Sequence, residues 1–519
     1  MSKQLLDTPS KHSSSLVALA DSAWNSICEK AFNATWTPLT GFAEKAAVSL
    51  MQRMDTGHLR VLTYSNIYKF PAPNSAAPNP RDDLHAELHV VNDTFWIRLC
   101  TMGDLGFSEA YMYGDVECDD LVALFKIFLL NRKNLSNMDS IASYLFTLPQ
   151  KLTSYRFLNT VGNSQSNISA HYDISNAMFA GFLSEDMTYS CAIFDHLDSD
   201  LKGVYDKLHP LSGGQHLLRQ RSPSSQSLDS AIHWYPPPPP NQSVKDELHD
   251  AQMRKLRHIV AKARLSANQR VLEIGSGWGS MAILIAQSFA GTTVDTLTLS
   301  VHQQALAQSR IKAAGLEDRV NVHLMDYRAI PEVWKGRFDR VISIEMIEAV
   351  GAEFLEKYWS VVDWALKPDI GVGVVQVITI PEPRYERYIR EIDFIRKWVI
   401  FPGGFLPTVT LLLQAMEKGS SGRLIVDSIS NIGPHYARTL REWRRRFLDR
   451  FDGVIIPALK AEHPSVMSGE RGRHEIEVFK RKWLCDCYCE VGFTTRTLGD
   501  HIITFTREGC VPYGCDVYE

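Results

Sequence analysis

The chain has 519 residues, of which 45% are apolar and 22% charged, with a formal net charge of −4. These values are ordinary for a globular protein of two or three domains and supply no global field for nucleic acid. No apolar run reaches the roughly 18 residues of a spanning helix, and the polar start MSKQLLDTPSKHSSS does not read as a secretory signal, so any membrane contact is expected from the surface.

Residues 1–35 open as a polar tail, followed by Leu16, Ala20, Ala23, Trp24 and Ile27 at helical spacing. Residues 36–148 read as a small α+β domain. Strand-like runs at 58–64 and 84–100 flank a turn-rich stretch at 71–83, and GDLGFSEAYMYGD and an apolar helix at 119–130 follow. Residues 149–168 read as a linker. Residues 203–246, with SGG, serine-rich text and five prolines from Pro236 to Pro240, are expected to be a disordered insertion in the second domain, 169–519.

From 270 the text alternates. RVLEIG is an apolar strand, and a helix follows at 280–290. TTVDTLTL leads to a helix from Ser300 to Ala314, and VNVHLMD, FDRVISIE and GVGVVQVITI are further strands. A helix, EFLEKYWSVVDWAL, separates the last two. A helix at 479–490 and the strand HIITFTRE close the pattern. This predicts an α/β fold with a mostly parallel sheet. Nine cysteines do not suggest a disulfide scaffold. Cys485, Cys487 and Cys489 are expected as buried thiols on a helix rather than metal ligands, in a reducing, cytoplasmic setting.

The sharpest local signal is the strand-to-helix loop from Val271 to Gly279. Glycines at 275, 277 and 279 allow a tight turn and close approach of a ligand. A dinucleotide fingerprint fits poorly, because Ser280 stands where its third Gly or Ala belongs. Asp295, twenty residues on, keeps NAD open by spacing alone. The Glu273-x-Gly-x-Gly-x-Gly form resembles motif I of class I methyltransferases, whose Rossmann-like sheet is the expected fold. Asp326, ending a strand, reads equally as an adenine contact or a turn cap.

Further motifs stand in order: GDLGFSEAYM, HYDISNAMFAGFLSEDMTYSCAIF (171–194), SIEMIEAVG (343–351), QVITI (376–380), DFIRKWVIFPGGFLPT (393–408) and NIGPHYARTLREW (431–443). Together they resemble the cyclopropane-fatty-acyl-phospholipid synthase family, which includes the mycolic acid cyclopropane synthases, from about residue 55 to 508. The resemblance implies S-adenosylmethionine as cofactor. It places Tyr189, Ser190, Gly275, Gly277, Thr298, Gln303, Asp326 and Tyr327 around it, with Glu273 and Gly279 in the same loop. It also implies a bicarbonate ion acting as general base, held by Cys191, Glu348, Ile378 and Tyr436, with Tyr172 close by and Gln376 where many relatives carry His.

The implied reaction is transfer of a methyl(ene) carbon to the cis double bond of an unsaturated phospholipid acyl chain at the membrane surface, most simply forming a cyclopropane. An alkene is a weak nucleophile and leaves a carbocation, so such a site needs aromatic rings, fixed negative charge and a base in a dry pocket. Gln376 and Ala349 depart from the bacterial pattern and leave ring against methyl branch open. The alternatives are another unsaturated lipid, such as a sphingolipid base, or a lipid-binding relative without catalysis. A homodimer is left open. Cys191 as a covalent nucleophile lacks a neighbouring activating His, and Arg441, Arg444, Arg445 and Arg446 read by default as a solvated helix face.

Overall fold

The computed structural model describes residues 37–71, 84–135, 175–201, 246–391, 393–399 and 404–514. The N-terminal helix expected around Leu16–Ile27, the linker, Tyr172 and nearly all of the 71–83 turn and the 203–246 insertion lie outside these residues.

The second domain is built on a seven-stranded sheet. Its strands are β5 (Arg270–Ile274), β6 (Thr293–Thr298), β7 (Val320–Leu324), β8 (Arg340–Ile344), β9 (Val372–Thr379), β10 (Leu424–Asn431) and β11 (Gly499–Arg507), in the order β10-β11-β9-β8-β5-β6-β7. Neighbours from β9 through β7 run parallel, and β11 lies antiparallel between β9 and β10. Alternate side chains feed two cores. Val271 and Val374 belong to one cluster, whereas Leu272 and Val375 belong to the other. A sheet buried on both faces reads as the near-continuous apolar runs seen in the sequence. The chain lays down β5, β6 and β7 outward, then crosses back to place β8 on the other side of β5. That reversal opens a crevice at the carboxyl ends of β5 and β8, the ligand position of open α/β sheets.

The smaller domain has a four-stranded sheet, β2-β1-β3-β4, formed by Ile67–Phe70, His58–Leu62, His85–Val90 and Val116–Cys118. The strand-like run at 84–100 is only half strand. After Val90 the chain turns into a helix, Thr94–Tyr113, which buries Phe95, Trp96 and Phe107. Aromatic residues in that stretch suit either state by propensity, and their packing decides. The two domains meet where Glu109 accepts from Lys397 Nζ at 2.5 Å and Trp398 Nε1 at 2.9 Å, over an apolar seam of Leu105, Met112, Phe394 and Val478.

Two details differ from expectation. Arg441, Arg444 and Arg446 do not form a solvated face. They pair with Asp200 (2.7 Å), Glu490 (3.0 Å) and Asp246, whereas the ion pairs of Arg445 are with neighbours on its own helix. The aliphatic stems bury well against the helix Gly433–Arg450, and the acids offset the charge. Asp295 sits inside β6, held by Arg270 (2.8 Å) and His323 (3.0 Å), so it is not a ribose acid at a strand end.

Candidate active site

At the crevice, Gly275 and Gly277 leave β5 with φ of +101° and +48°, conformations that side chains rarely adopt. The loop hooks onto β6 through Gly275 N–H and Ser276 N–H, both donating to Leu297 O, and delivers the helix Ser280–Ser288. One pocket is lined by Tyr189, Ser190, Glu273, Gly275, Gly277, Thr298, Gln303, Asp326 and Tyr327. Gly279 stands apart. Its φ is +89°, and a Cβ there would press on Ala307 at 3.2 Å, so it serves helix packing.

Each wall has a sequence reason. Thr298 ends β6 and donates from its hydroxyl to Gln303 Oε1 (2.8 Å), while Ser300 caps the following helix. Asp326 caps the turn Tyr327–Ala329 and grips Arg328 at 2.7 Å, so it is both a cap and a pocket wall. Tyr189 and Ser190 come from a strap over the crevice. The helix Glu247–Lys262 fixes that strap, with Gln252 Nε2 donating to Ser190 O (2.7 Å) and Lys255 Nζ to Ser190 Oγ (2.5 Å).

The residues fit S-adenosylmethionine. Glu273 Oε2 and Tyr327 OH are buried without a hydrogen-bond partner, ready for the donors and acceptors of a nucleoside and amino acid. Glu273, Asp326 and Glu345 face Lys255 as the sole lysine or arginine in the lining. That balance favours a cationic sulfonium and opposes a pyrophosphate. Burial pushes Glu273 up to about 8, and a cation beside it would reverse that shift. Gly277→Ala tests the cradle. No atom lies within 4 Å of the added Cβ, so the fold should lose only about 1–2 kcal/mol from the backbone. Affinity for S-adenosylhomocysteine, read by calorimetry, should fall at least about tenfold; an unchanged affinity would place the cofactor elsewhere.

Beyond the cradle lies a buried acidic cluster. Cys191, Gln376, Glu348, Ile378 and Tyr436 all reach it. Its centre is Glu345, which the sequence reading did not single out. Glu345 Oε1 accepts from the Cys191 N–H and from Gln376 Nε2, each at 2.8 Å, and Oε2 accepts from Tyr436 OH at 2.8 Å. Gln376 Nε2 also donates to Asp500 Oδ2 at 2.8 Å. Glu348 Oε1 accepts the Ile378 N–H at 2.5 Å, while its Oε2 has no partner. Burial, then neighbouring acid charge, raises Glu345 well above the usual carboxylate range, Glu348 to about 8 and Asp500 to about 7. The Cys191 thiol is pushed far up by burial, which opposes a nucleophilic thiolate. Tyr189 stacks on Trp443 (5.0 Å) and Tyr436 on Phe493 (4.5 Å), giving the cluster an aromatic flank.

Glu345 carried one legible sign, a second carboxylate three residues before Glu348. Lys255 and Asp500 carried none. Lys255 sits in a mixed-charge helical text that reads as surface, and Asp500 joins the site only through the pairing of β11 with β9.

A family model described as mycolic acid cyclopropane synthetase matches residues 160–212 and 241–463, just over half of the chain. Tuberculostearic acid methyltransferase UfaA1 of Mycobacterium tuberculosis is 32% identical over 416 residues, covering 79% of this chain and 81% of that protein. Cyclopropane-fatty-acyl-phospholipid synthase of Escherichia coli K12 is 30% identical over 379 residues, covering 73% and 78%. Among solved structures, the cyclopropane synthase MmaA2 from Mycobacterium tuberculosis matches with a TM-score of 0.47 at 21% identity, over 66% of this chain and 97% of that one.

Proposed function

Because the chain belongs to the mycolic acid cyclopropane synthetase family, we propose that it transfers a one-carbon unit from S-adenosylmethionine to the cis double bond of an unsaturated acyl chain, with a phospholipid as substrate and a cyclopropane as product. The observation that carries this reading is the meeting of a cofactor cradle with a buried cluster of carboxylates and aromatic rings. When bound, S-adenosylmethionine supplies an electrophilic methyl group. The protein's part is to hold that carbon in line with the alkene, stabilise the cation that forms and remove a proton. Tyr189 and Trp443 offer π faces, and Glu345 offers negative charge at the end of the pocket. Glu348 ties the Ile378 backbone to the loop after β8 and so positions β9 against the site. Among the described residues the Cys191, Ile378, Tyr436 and Gln376 donors are already paired within the protein, so no step here uses bicarbonate.

Among the described residues no helix is long and apolar enough to cross a membrane. A second reading, methyl transfer without ring closure, is favoured by the 32% identity to a tuberculostearic acid methyltransferase. Mass spectrometry of phospholipids from a bacterial host expressing the chain separates the two. Cyclopropanation adds the mass of one CH2 and removes the olefin. Exomethylene formation adds the same mass but leaves an alkene that hydrogenates. Unchanged monounsaturated phospholipids in a host making folded protein would count against both.

A further inference from the structure

Resting on the reading above, we propose that the carboxylate of Glu345 is the proton acceptor of the reaction, built into the chain in the seat that the family resemblance gives to bicarbonate. The resemblance placed Cys191, Glu348, Ile378 and Tyr436 around that ion, with Gln376 in the same shell and Tyr172, outside the described residues, close by; four of these offer hydrogen-bond donors, the Cys191 and Ile378 N–H groups and the Tyr436 and Gln376 side chains. Three of them converge on Glu345, one oxygen taking the Cys191 N–H and the Gln376 amide and the other taking the Tyr436 hydroxyl. The fourth, the Ile378 N–H, is taken by Glu348, and the second proton of the Gln376 amide goes to Asp500. Among the described residues none of these four donors remains for a second anion, so they do not fit bicarbonate. The side chain takes three of the four donors that a bound carboxylate-like ion would use.

The backbone supports the same conclusion. Glu345 follows β8 with a φ of +46°, while its N–H still donates to Gln376 O at 2.8 Å. A left-handed residue other than Gly or Asn costs about 1–2 kcal/mol, and such strain persists where the surrounding structure holds it for a purpose. Here the turn swings the side chain off the sheet, into the pocket wall shared with Gly275 and Tyr189. Three donated hydrogen bonds favour the charged carboxylate, and Lys255, fully buried, lies close enough to add to that preference. Burial works the other way and makes the group a stronger base than an exposed glutamate.

The chemistry balances without any further reagent. The alkene π pair forms the new bond to the transferred carbon, and the S–CH3 pair returns to sulfur, leaving S-adenosylhomocysteine and a carbocation on the other alkene carbon. A lone pair of the Glu345 carboxylate takes a proton from the transferred methyl, and the C–H pair closes the ring. If the proton comes from the chain CH2 next to the cation, that C–H pair forms an internal alkene; if a hydride first shifts from the methyl-bearing carbon to the cation, proton loss from the methyl forms an exomethylene. Glu345 ends as a carboxylic acid and loses its proton to water when the pocket opens.

The test uses the full chain and vesicles of a monounsaturated phospholipid, in buffer stripped of carbon dioxide and again with bicarbonate added. The parent should turn over at the same rate in both, within about twofold. Glu345→Gln should lose about 10²–10⁴-fold, the range of positioned acid–base groups, while still binding S-adenosylhomocysteine. Glu345→Gly relieves the backbone strain and vacates the seat; it should be equally slow without bicarbonate and recover at least about tenfold with it. A lipid-independent arm loads each protein with S-adenosylhomocysteine and follows the 13C-bicarbonate NMR line, which should broaden with Glu345→Gly and not with the parent. A parent that slows about tenfold without bicarbonate, or that broadens the bicarbonate line, overturns the proposal, as does near-full activity of Glu345→Gln. If the parent modifies no unsaturated phospholipid, the lipid reading fails, and the NMR arm alone decides whether Glu345 fills the anion seat.

Discussion

Lys255→Met is expected to destabilise the protein by about 3–5 kcal/mol, the cost of leaving buried acids without their cation. Lys255 is fully buried on the helix Glu247–Lys262, with Nζ on Ser190 Oγ and Glu345, Cys191, Asp500 and Asp186 as its electrostatic neighbours. Methionine matches the stem in volume, so packing is nearly kept and the missing charge dominates. Two effects should appear together in urea unfolding and cofactor titration. The midpoint should fall, and affinity for S-adenosylhomocysteine should fall with it, because the Tyr189–Ser190 strap loses one of its two tethers, keeping only Gln252. The stability loss should be greater at pH 8 than at pH 5, where Asp500, raised to about 7 by burial, holds its proton and needs no counter-ion. A loss under about 1 kcal/mol that does not vary with pH would mean that Lys255 is neutral in the fold.

The unliganded protein should become less stable as pH rises from about 5 to about 8. Burial raises Glu273 and Glu348 to about 8 and Asp500 to about 7, and Glu345 is raised as well. Between the ordinary carboxylate range and those values the folded chain keeps protons that the unfolded chain has released. The native state then binds more protons, and stability falls with pH. One pKa unit corresponds to about 1.4 kcal/mol, so the combined loss over that window should exceed about 3 kcal/mol. The decline should end near pH 8, because Lys482, lowered to about 8 by burial, sheds its proton in the fold first and acts in the opposite direction above that point. Asp246 and Asp295, held below the usual range by Arg446, Arg270 and His323, matter only in acid. Scanning calorimetry across pH 5 to 8 checks this. A flat or rising profile would show that the acids are ionised and satisfied in the native state. Saturating S-adenosylhomocysteine should shift the curve without changing the sign contributed by Glu348 and Asp500.

The cofactor half of the site was legible in the sequence because it is local. The glycines after β5, the Thr298–Gln303 turn and Asp326 each sit at a strand end within a few residues of their neighbours, and periodicity locates strand ends. The acidic half was only partly legible. Cys191, Glu348, Gln376 and Tyr436 came from resemblance, and the structure adds Glu345, Lys255 and Asp500, which long-range packing brings in. Glu345 was overlooked because its role depends on one backbone angle, +46°, that no residue pattern announces. The strand β10 was missed for a different reason. Its alternation LIVDSISN is real, but it lies on an edge, half exposed, with polar residues weakening the apolar signal. The arginines of 441–446 misled because charge is ordinarily solvated, whereas here their acids come from distant segments.

The antiparallel strand β11 sets an order of events for a chain leaving the ribosome. Every residue lining the cofactor pocket has been made by Ala349, whereas Asp500 follows 151 positions later and enters by wedging β11 between β9 and β10. At about 5–20 residues per second, the nascent polypeptide carries the complete nucleoside-cradle text for on the order of ten seconds before its last acid is translated. During that interval the β9 edge remains unpaired on its outer side, an open template for pairing with another chain. Inserting the final strand both closes that edge and completes the acidic cluster, so the same step ends the aggregation hazard and begins catalytic competence.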